Sequence, residues 1–211
     1  MKIKILYDNT SFIQGFIADW GFSCLVEVDG RKILFDTGAK GAVLLQNMAK
    51  LGILPQSVDE VFISHAHWDH TGGLAELMRI KSMPVYLPQY CPEVRDAETC
   101  IRISEAVRIH ENVYSTGTLK DMEQSLVIRY REDTLVLVGC AHPGVSEILA
   151  AAEKIGKPTI LVGGLHGFDN FDLLEDLRMV CPTHCTQHIK CINSRYADKF
   201  VMGGAGQIIT I

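Results

Sequence analysis

Between Val61 and Gly73 the chain runs Val61-Phe62-Ile63-Ser64-His65-Ala66-His67-Trp68-Asp69-His70-Thr71-Gly72-Gly73. His65, His67, Asp69 and His70 are all side chains that ligate metals, packed into one short stretch behind an apolar run. In extended backbone alternate side chains point the same way, so His65 and His67 can face one ion together. Asp69 and His70 follow as the chain turns and can address a second ion. Imidazole and carboxylate donors suit Zn²⁺ first, with Mn²⁺ or Fe²⁺ as alternatives, one or two ions per chain. Such an ion lowers the pKa of bound water to about 7 and polarises a carbonyl or phosphoryl oxygen. The implied chemistry is metal-activated hydroxide attacking an ester, lactone, thioester or phosphoester. With a diphosphate substrate, the same ions can instead stabilise its departure while an amine or carbon nucleophile attacks.

These side chains need strands that end at one place. A strand over 61–64 delivers the motif, and Thr71-Gly72-Gly73 opens into a helix. Upstream, a first strand spans 2–8. Residues 9–20 are mixed, with Phe12, Ile13, Phe16, Ile17 and Trp20 set among polar residues as core cover or the wall of a pocket. A hairpin of 22–28 and 32–35 turns at Asp29-Gly30, and its second arm ends at Phe35-Asp36-Thr37-Gly38, an acid at a strand's end. A helix over 42–51 stops near Gly52.

Downstream, a short strand covers 84–87, and residues 88–112 show no clear periodicity. A second hairpin of 126–129 and 134–138 runs into Gly139-Cys140-Ala141-His142-Pro143-Gly144. A helix over 145–155 and a strand over 159–162 lead to Gly163-Gly164-Leu165-His166. A helix is expected over 171–180, before Cys181-Pro182-Thr183-His184-Cys185. A last helix over 187–197 precedes a strand pair ending at Ile211. Asp36, the His65 group, His142 and His166 each follow a strand, with His184 in a comparable place. Polar ligands collected at the ends of strands are how α/β enzymes build sites.

The chain's 211 residues fit one domain over 1–211, long enough to bury about 70% of the unfolded surface without disulfides. A net charge of −5 speaks against a nucleic-acid partner, which draws on dense Lys and Arg. The alternating start reads as a strand rather than a signal peptide. No apolar run approaches the ~20 residues of a membrane span. Seven cysteines, an odd number without framework spacing, point to reduced thiols and a cytoplasmic setting. Cys140 and Cys185, each within two residues of a candidate ligand, are expected to pack under the site and to make it sensitive to oxidation.

Together these stretches resemble the metallo-β-lactamase superfamily over nearly the whole chain. The resemblance implies an α+β fold, a four-layer αββα sandwich of two mixed sheets face to face with helices outside. Carried over by motif, His65, His67 and His142 would bind one metal, and Asp69, His70 and His184 the second, with Asp36 behind them orienting ligands. Ser64-His65-Ala66-His67-Trp68-Asp69-His70-Thr71-Gly72-Gly73-Leu74, Gly139-Cys140-Ala141-His142-Pro143-Gly144, Gly163-Gly164-Leu165-His166 and Thr183-His184-Cys185-Thr186 are similar to the dihydropterin-aminobenzene phosphate synthase-like branch. Some of its members join a pterin diphosphate to an aromatic phosphate. The expected activity is therefore a metal-dependent hydrolase acting on a small, anionic substrate. The alternatives are a transferase of that branch and a non-hydrolytic metal-holding redox or binding protein. A homo-oligomer stays open, and no membrane partner is expected.

One departure stands out. Most two-metal members carry an Asp after the strand that follows His142, and its carboxylate bridges both ions. His166 takes that place here. A neutral imidazole offers one lone pair and cannot bridge as a carboxylate does. Either an anionic oxygen completes the bridge or the site holds a single ion tightly. His166 is then a ligand, or a group for proton transfer or phosphate contact, alongside Asp69. Asp169 and Asp172 lie near enough in sequence to be considered as substitutes.

Overall fold

The computed structural model describes all residues from Met1 to Ile211. They form two compact units, one of Met1–Arg102 with Gly203–Ile211 and one of Ile103–Met202.

In the first unit, β1 (Lys2–Tyr7), β2 (Ser23–Val28) and β3 (Arg31–Phe35) pair antiparallel in sequence. The β2–β3 turn places Asp29 at φ 50 and Gly30 at φ 77, the left-handed pair that matches a hairpin's twist. Helix α1 (Gly41–Lys50) then crosses over, so that β4 (Glu60–Phe62) lies parallel to β3. Two more helices, α2 (Trp68–Thr71) and α3 (Leu74–Ile80), lead to β5 (Pro84–Pro88), parallel to β4. Strand β6 (Thr99–Ile103) lies at one edge of this mixed sheet, at the boundary of the units. Leu44 and Met48 of α1 and Leu74, Leu77 and Met78 of α3 share one apolar cluster with Leu25, Leu34, Val61 and Val85 of the strands. Burial of that cluster is what fixes the helices on the sheet.

The second unit opens with the short strands β7 (Val107–Arg108) and β8 (Val113–Ser115), followed by the hairpin of β9 (Leu126–Tyr130) and β10 (Asp133–Val138). Helix α4 (Val145–Glu153) crosses over to β11 (Ile160–Gly164), parallel to β10. Strand β12 (Met179–Thr183) lies parallel to β11, and α5 (Ile189–Arg195) follows. Ile148 and Ala152 of α4 and Ile192 of α5 pack with Val136, Val138, Leu161 and Val180. The chain closes with β13 (Ile208–Thr210), which pairs antiparallel with β1 in the first unit.

Each unit is thus a mixed sheet flanked by helices, and each contains three neighbouring parallel strands. Three expectations change. Residues 171–180 are not a helix: a 3₁₀ turn at Phe171–Leu174 gives way to β12. Val180 and Cys181 are fully buried beside β11, so tertiary pairing overrides the helical spacing. His184 consequently follows a strand rather than a helix. Residues 88–112 hold β6 and β7, short edge strands whose exposed Thr99 and Arg102 blur any alternation. The expected final strand pair is one strand, β13.

No helix is long and apolar enough to cross a membrane.

Candidate metal centre

Asp36 ends β3 with φ 53 and no exposed surface. Its backbone N–H continues the ladder by donating to the Phe62 carbonyl at 2.9 Å, which brings the ends of β3 and β4 abreast. Its carboxylate then gathers the start of the histidine motif. Oδ1 accepts the Ser64 backbone N–H at 2.7 Å, while Oδ2 accepts the Ser64 hydroxyl at 2.7 Å and pairs with His70 Nδ1 at 2.7 Å. Because the Ser64 hydroxyl donates its one hydrogen to Asp36, its contact of 2.9 Å with His65 Nδ1 requires that nitrogen to be the donor. Both His65 and His70 thereby carry their proton on Nδ1 and the lone pair on Nε2. This is the arrangement in which a buried carboxylate fixes the tautomer of metal-binding imidazoles.

His65 Nε2 lies 3.1 Å from His67 Nδ1, and the His65 and His70 rings are 4.1 Å apart. Two nitrogens bound to one tetrahedral Zn²⁺ at about 2.0–2.1 Å would be about 3.3 Å apart, so the donor pair fits an ion with little movement. His65, Asp69 and His70 are buried, while His67 is exposed and gives a way in. Asp69 Oδ2 accepts the Trp20 indole N–H at 2.8 Å. The Asp69 carbonyl accepts the Phe22 N–H at 3.2 Å, and the His70 carbonyl accepts both the Thr37 N–H at 2.8 Å and the Thr37 hydroxyl at 2.9 Å. The turn after the motif is as tight: a Cβ on Gly72 would sit 2.1 Å from the Ala39 carbonyl oxygen, which only glycine avoids.

The second unit repeats the plan at the ends of β10, β11 and β12. Glu123, fully buried, takes the N–H groups of Gly139 at 2.9 Å, Cys140 at 3.0 Å and Ala141 at 3.3 Å on Oε1, and that of His142 at 3.0 Å on Oε2. That nest of donors holds the turn carrying Cys140 and His142. The His142 and His166 rings are 5.3 Å apart. His166 is exposed and lines a cavity of about 350 Å³ with Ala141, Leu165, Phe168 and Asp169. Cys140, His166 and Cys185 bring their donor atoms within 4.8 Å of one another. The Cys140 thiol, hydrogen-bonded to Cys185, draws the Cys185 thiol down to about 6, assisted by the charge of His184 and against the cost of burial.

Of the residues singled out in the sequence, Asp36, His65, His67, Asp69 and His70 gather in the first unit, and His142, His166 and the buried His184 stand at strand ends in the second. Asp172 does not substitute for a bridging acid: it is ion-paired with Arg195 on the surface. His188 packs edge-on to Phe171, ring centroids 6.1 Å apart. Glu123 and the Trp20 indole contact have no local signal, because their partners lie 16–19 and 49 residues away in sequence.

Residues 21–90 match the family model described as the metallo-beta-lactamase superfamily. The chain is 26% identical to Tm1679, whose crystal structure is described as that of a metal-dependent hydrolase of the beta-lactamase superfamily. That likeness covers 100% of this chain and 99% of the other, with a TM-score of 0.86. Among sequences, it is 26% identical over 99% of its length, and 100% of the relative, to the uncharacterized protein MJ0448 of Methanocaldococcus jannaschii. It is also 24% identical to that organism's 7,8-dihydropterin-6-methyl-4-(beta-D-ribofuranosyl)-aminobenzene-5'-phosphate synthase, over 85% of each chain. Members of this superfamily are mostly metal-dependent hydrolases and bind divalent metals, often zinc. The two mixed sheets flanked by helices match the fold of the Tm1679 structure, and residues 21–90, with the histidine motif at the end of β4, resemble the metallo-β-lactamase superfamily.

Proposed function

We propose that the protein is a metal-dependent hydrolase of small, anionic ester, lactone or phosphoester substrates. The observation that carries this reading is the 3.1 Å approach of His65 Nε2 and His67 Nδ1, with Asp36 and Ser64 fixing the tautomer behind it. The proposed ligands are His65, His67, Asp69 and His70 in the first unit and His142 and His184 in the second. When bound, a divalent ion supplies Lewis acidity, polarising the scissile carbonyl or phosphoryl group and acidifying water near neutral pH. The chain's own part is positioning. Asp36 keeps the Nε2 lone pairs of His65 and His70 aimed outward, and Trp20 holds Oδ2 of Asp69. The Asp69 carboxylate is proposed to orient the ion or to receive a proton from the attacking nucleophile.

A second reading, transfer of a pterin-type group from a diphosphate to an aromatic amine, is favoured by the synthase match over 85% of both chains. Metal-stripped protein, reloaded with Zn²⁺, Mn²⁺ or Fe²⁺ and screened on esters, lactones and phosphodiesters, separates the two. Hydrolysis supports the first reading if His67→Ala and Asp69→Asn lower it by on the order of 100-fold or more. Silence across every hydrolysable class, with firm binding of a pterin diphosphate, overturns it in favour of transfer.

A further inference from the structure

We propose that Trp20 is a specificity-determining residue: its half-exposed indole, fixed beside Asp69, is a stacking platform for a planar, bicyclic aromatic part of an anionic substrate. The inference rests on the proposed function and names the class of molecule that the centre takes.

Trp20 closes the mixed segment 9–20, in which Phe12, Ile13 and Trp20 are exposed while Phe16 and Ile17 are half-buried. A singly exposed apolar side chain is ordinary. What sets Trp20 apart is how firmly its backbone is held. Asp19 accepts the Trp20 N–H at 3.0 Å on Oδ1, and on Oδ2 it accepts the Tyr7 hydroxyl at 2.8 Å and pairs with Lys40 Nζ at 2.9 Å. The Asp19 N–H donates to the Asp8 carbonyl at 3.1 Å, and the Gly21 N–H to Asn9 Oδ1 at 3.1 Å. Gly21, at φ 143, is packed so closely that a Cβ would sit 2.5 Å from the Asp69 carbonyl oxygen and 3.0 Å from the Ala39 nitrogen. Further back, the Asn47 amide holds Ile17 from both sides, accepting its N–H at 3.0 Å and donating to its carbonyl at 2.9 Å.

The side chain is aimed as well. Its N–H donates to Asp69 Oδ2 at 2.8 Å, which fixes the direction of the ring, while 52% of the residue stays open to solvent. A small amide or hydroxyl could supply that donor. An indole adds a broad apolar face, and covering such a face with a ligand is favourable. Because the ring is already held in place, a ligand that stacks on it meets little further ordering cost. The ring quadrupole favours an offset-stacked planar partner over a puckered, saturated one. That preference amounts to about 2–12-fold beyond what buried area alone gives.

The test uses the full-length protein, zinc-loaded and metal-free, with 2-naphthoate and its saturated counterpart decahydro-2-naphthoate, which share a charge and a carbon skeleton. The chain has two tryptophans, so its proton–nitrogen NMR spectrum shows two indole cross-peaks, assigned with Trp68→Phe. The expected result is a saturable ring-current shift of the Trp20 cross-peak with 2-naphthoate and a much smaller one with the saturated acid. That reading needs no variant at position 20. Calorimetry at saturating zinc then gives the ratio of the two dissociation constants. The parent protein should favour 2-naphthoate about 2–12-fold more than Trp20→Leu does. Trp20→Phe, which keeps an aromatic face without the N–H, should retain most of the preference. A role confined to holding Asp69 would weaken both acids alike and leave the ratio unchanged. No saturable shift, an equal shift from both acids, or the same ratio in the parent protein and Trp20→Leu overturns the proposal. Absence of zinc binding or turnover while the aromatic preference persists would instead count against the proposed function alone.

Discussion

Replacing Asp36 by Asn alters one atom of a fully buried carboxylate and, from the geometry, reverses the proton placement of two histidines. Asn is among the residues that best tolerate the left-handed backbone found at this position, φ 53, so the chain itself is not strained. The amide oxygen can keep the Ser64 N–H. The amide nitrogen, in place of Oδ2, presents hydrogens to two groups that now donate to it, the Ser64 hydroxyl and His70 Nδ1. The hydroxyl can rotate to accept, but its hydrogen then points at His65 Nδ1, 2.9 Å away. That forces the His65 proton onto Nε2, and His70 faces the same choice. Either both imidazoles lose the lone pair aimed at the ion, or a buried donor stays unmatched at about 1–3 kcal/mol. Zinc affinity is expected to fall about 10–100-fold, the range for losing a group behind a metal-bound histidine, or about 1.4–2.8 kcal/mol. Metal-free stability should drop by about 1–3 kcal/mol. Competition with a chromogenic chelator reads the first, and urea unfolding of the metal-free protein the second. Zinc binding within about twofold of the parent protein would refute the tautomer account.

Three further outcomes follow from single contacts. Trp20→Phe removes the indole N–H from Asp69 Oδ2 and should weaken zinc binding about tenfold, with the circular dichroism spectrum unchanged. Glu123→Gln leaves at least one of four buried N–H groups facing an amide nitrogen, a loss of about 1–3 kcal/mol in urea unfolding. Gly164→Ala forces a methyl against the Gly139 carbonyl and Cys185 Sγ. Thermal melting should show about 1–3 kcal/mol of destabilisation from overpacking.

What was legible in the sequence was local. The Asp29-Gly30 turn and the two hairpin arms it joins act over a few residues and are found where the sequence puts them, and the short spacing of His65 and His67 brings their ring nitrogens to 3.1 Å. Asp36 was legible too, as an acid at a strand's end, although the contacts of its carboxylate with Ser64 and His70 were not. The 171–180 stretch reads as helix because Leu173, Leu174 and Leu177 carry helical spacing. The strand that follows is decided by pairing with β11, a partner the local pattern does not contain. Glu123 is one of several polar residues between Lys120 and Ser125, and only the folded turn at Gly139–His142 shows why it is buried. The Cys140–His166–Cys185 grouping likewise depends on two crossover connections, β10 to β11 and β11 to β12, that set unrelated segments side by side.

The His65–His70 stretch is proposed as a metal centre whose geometry Asp36 and Ser64 enforce. Zinc content of the full-length protein after exhaustive dialysis, measured by atomic emission beside the His65→Ala/His67→Ala double variant, tests it most directly. At least one firmly held ion per chain is expected in the parent protein, with the loss of one ion in the double variant. A parent protein that retains no zinc, or a double variant that retains the same amount, would contradict it.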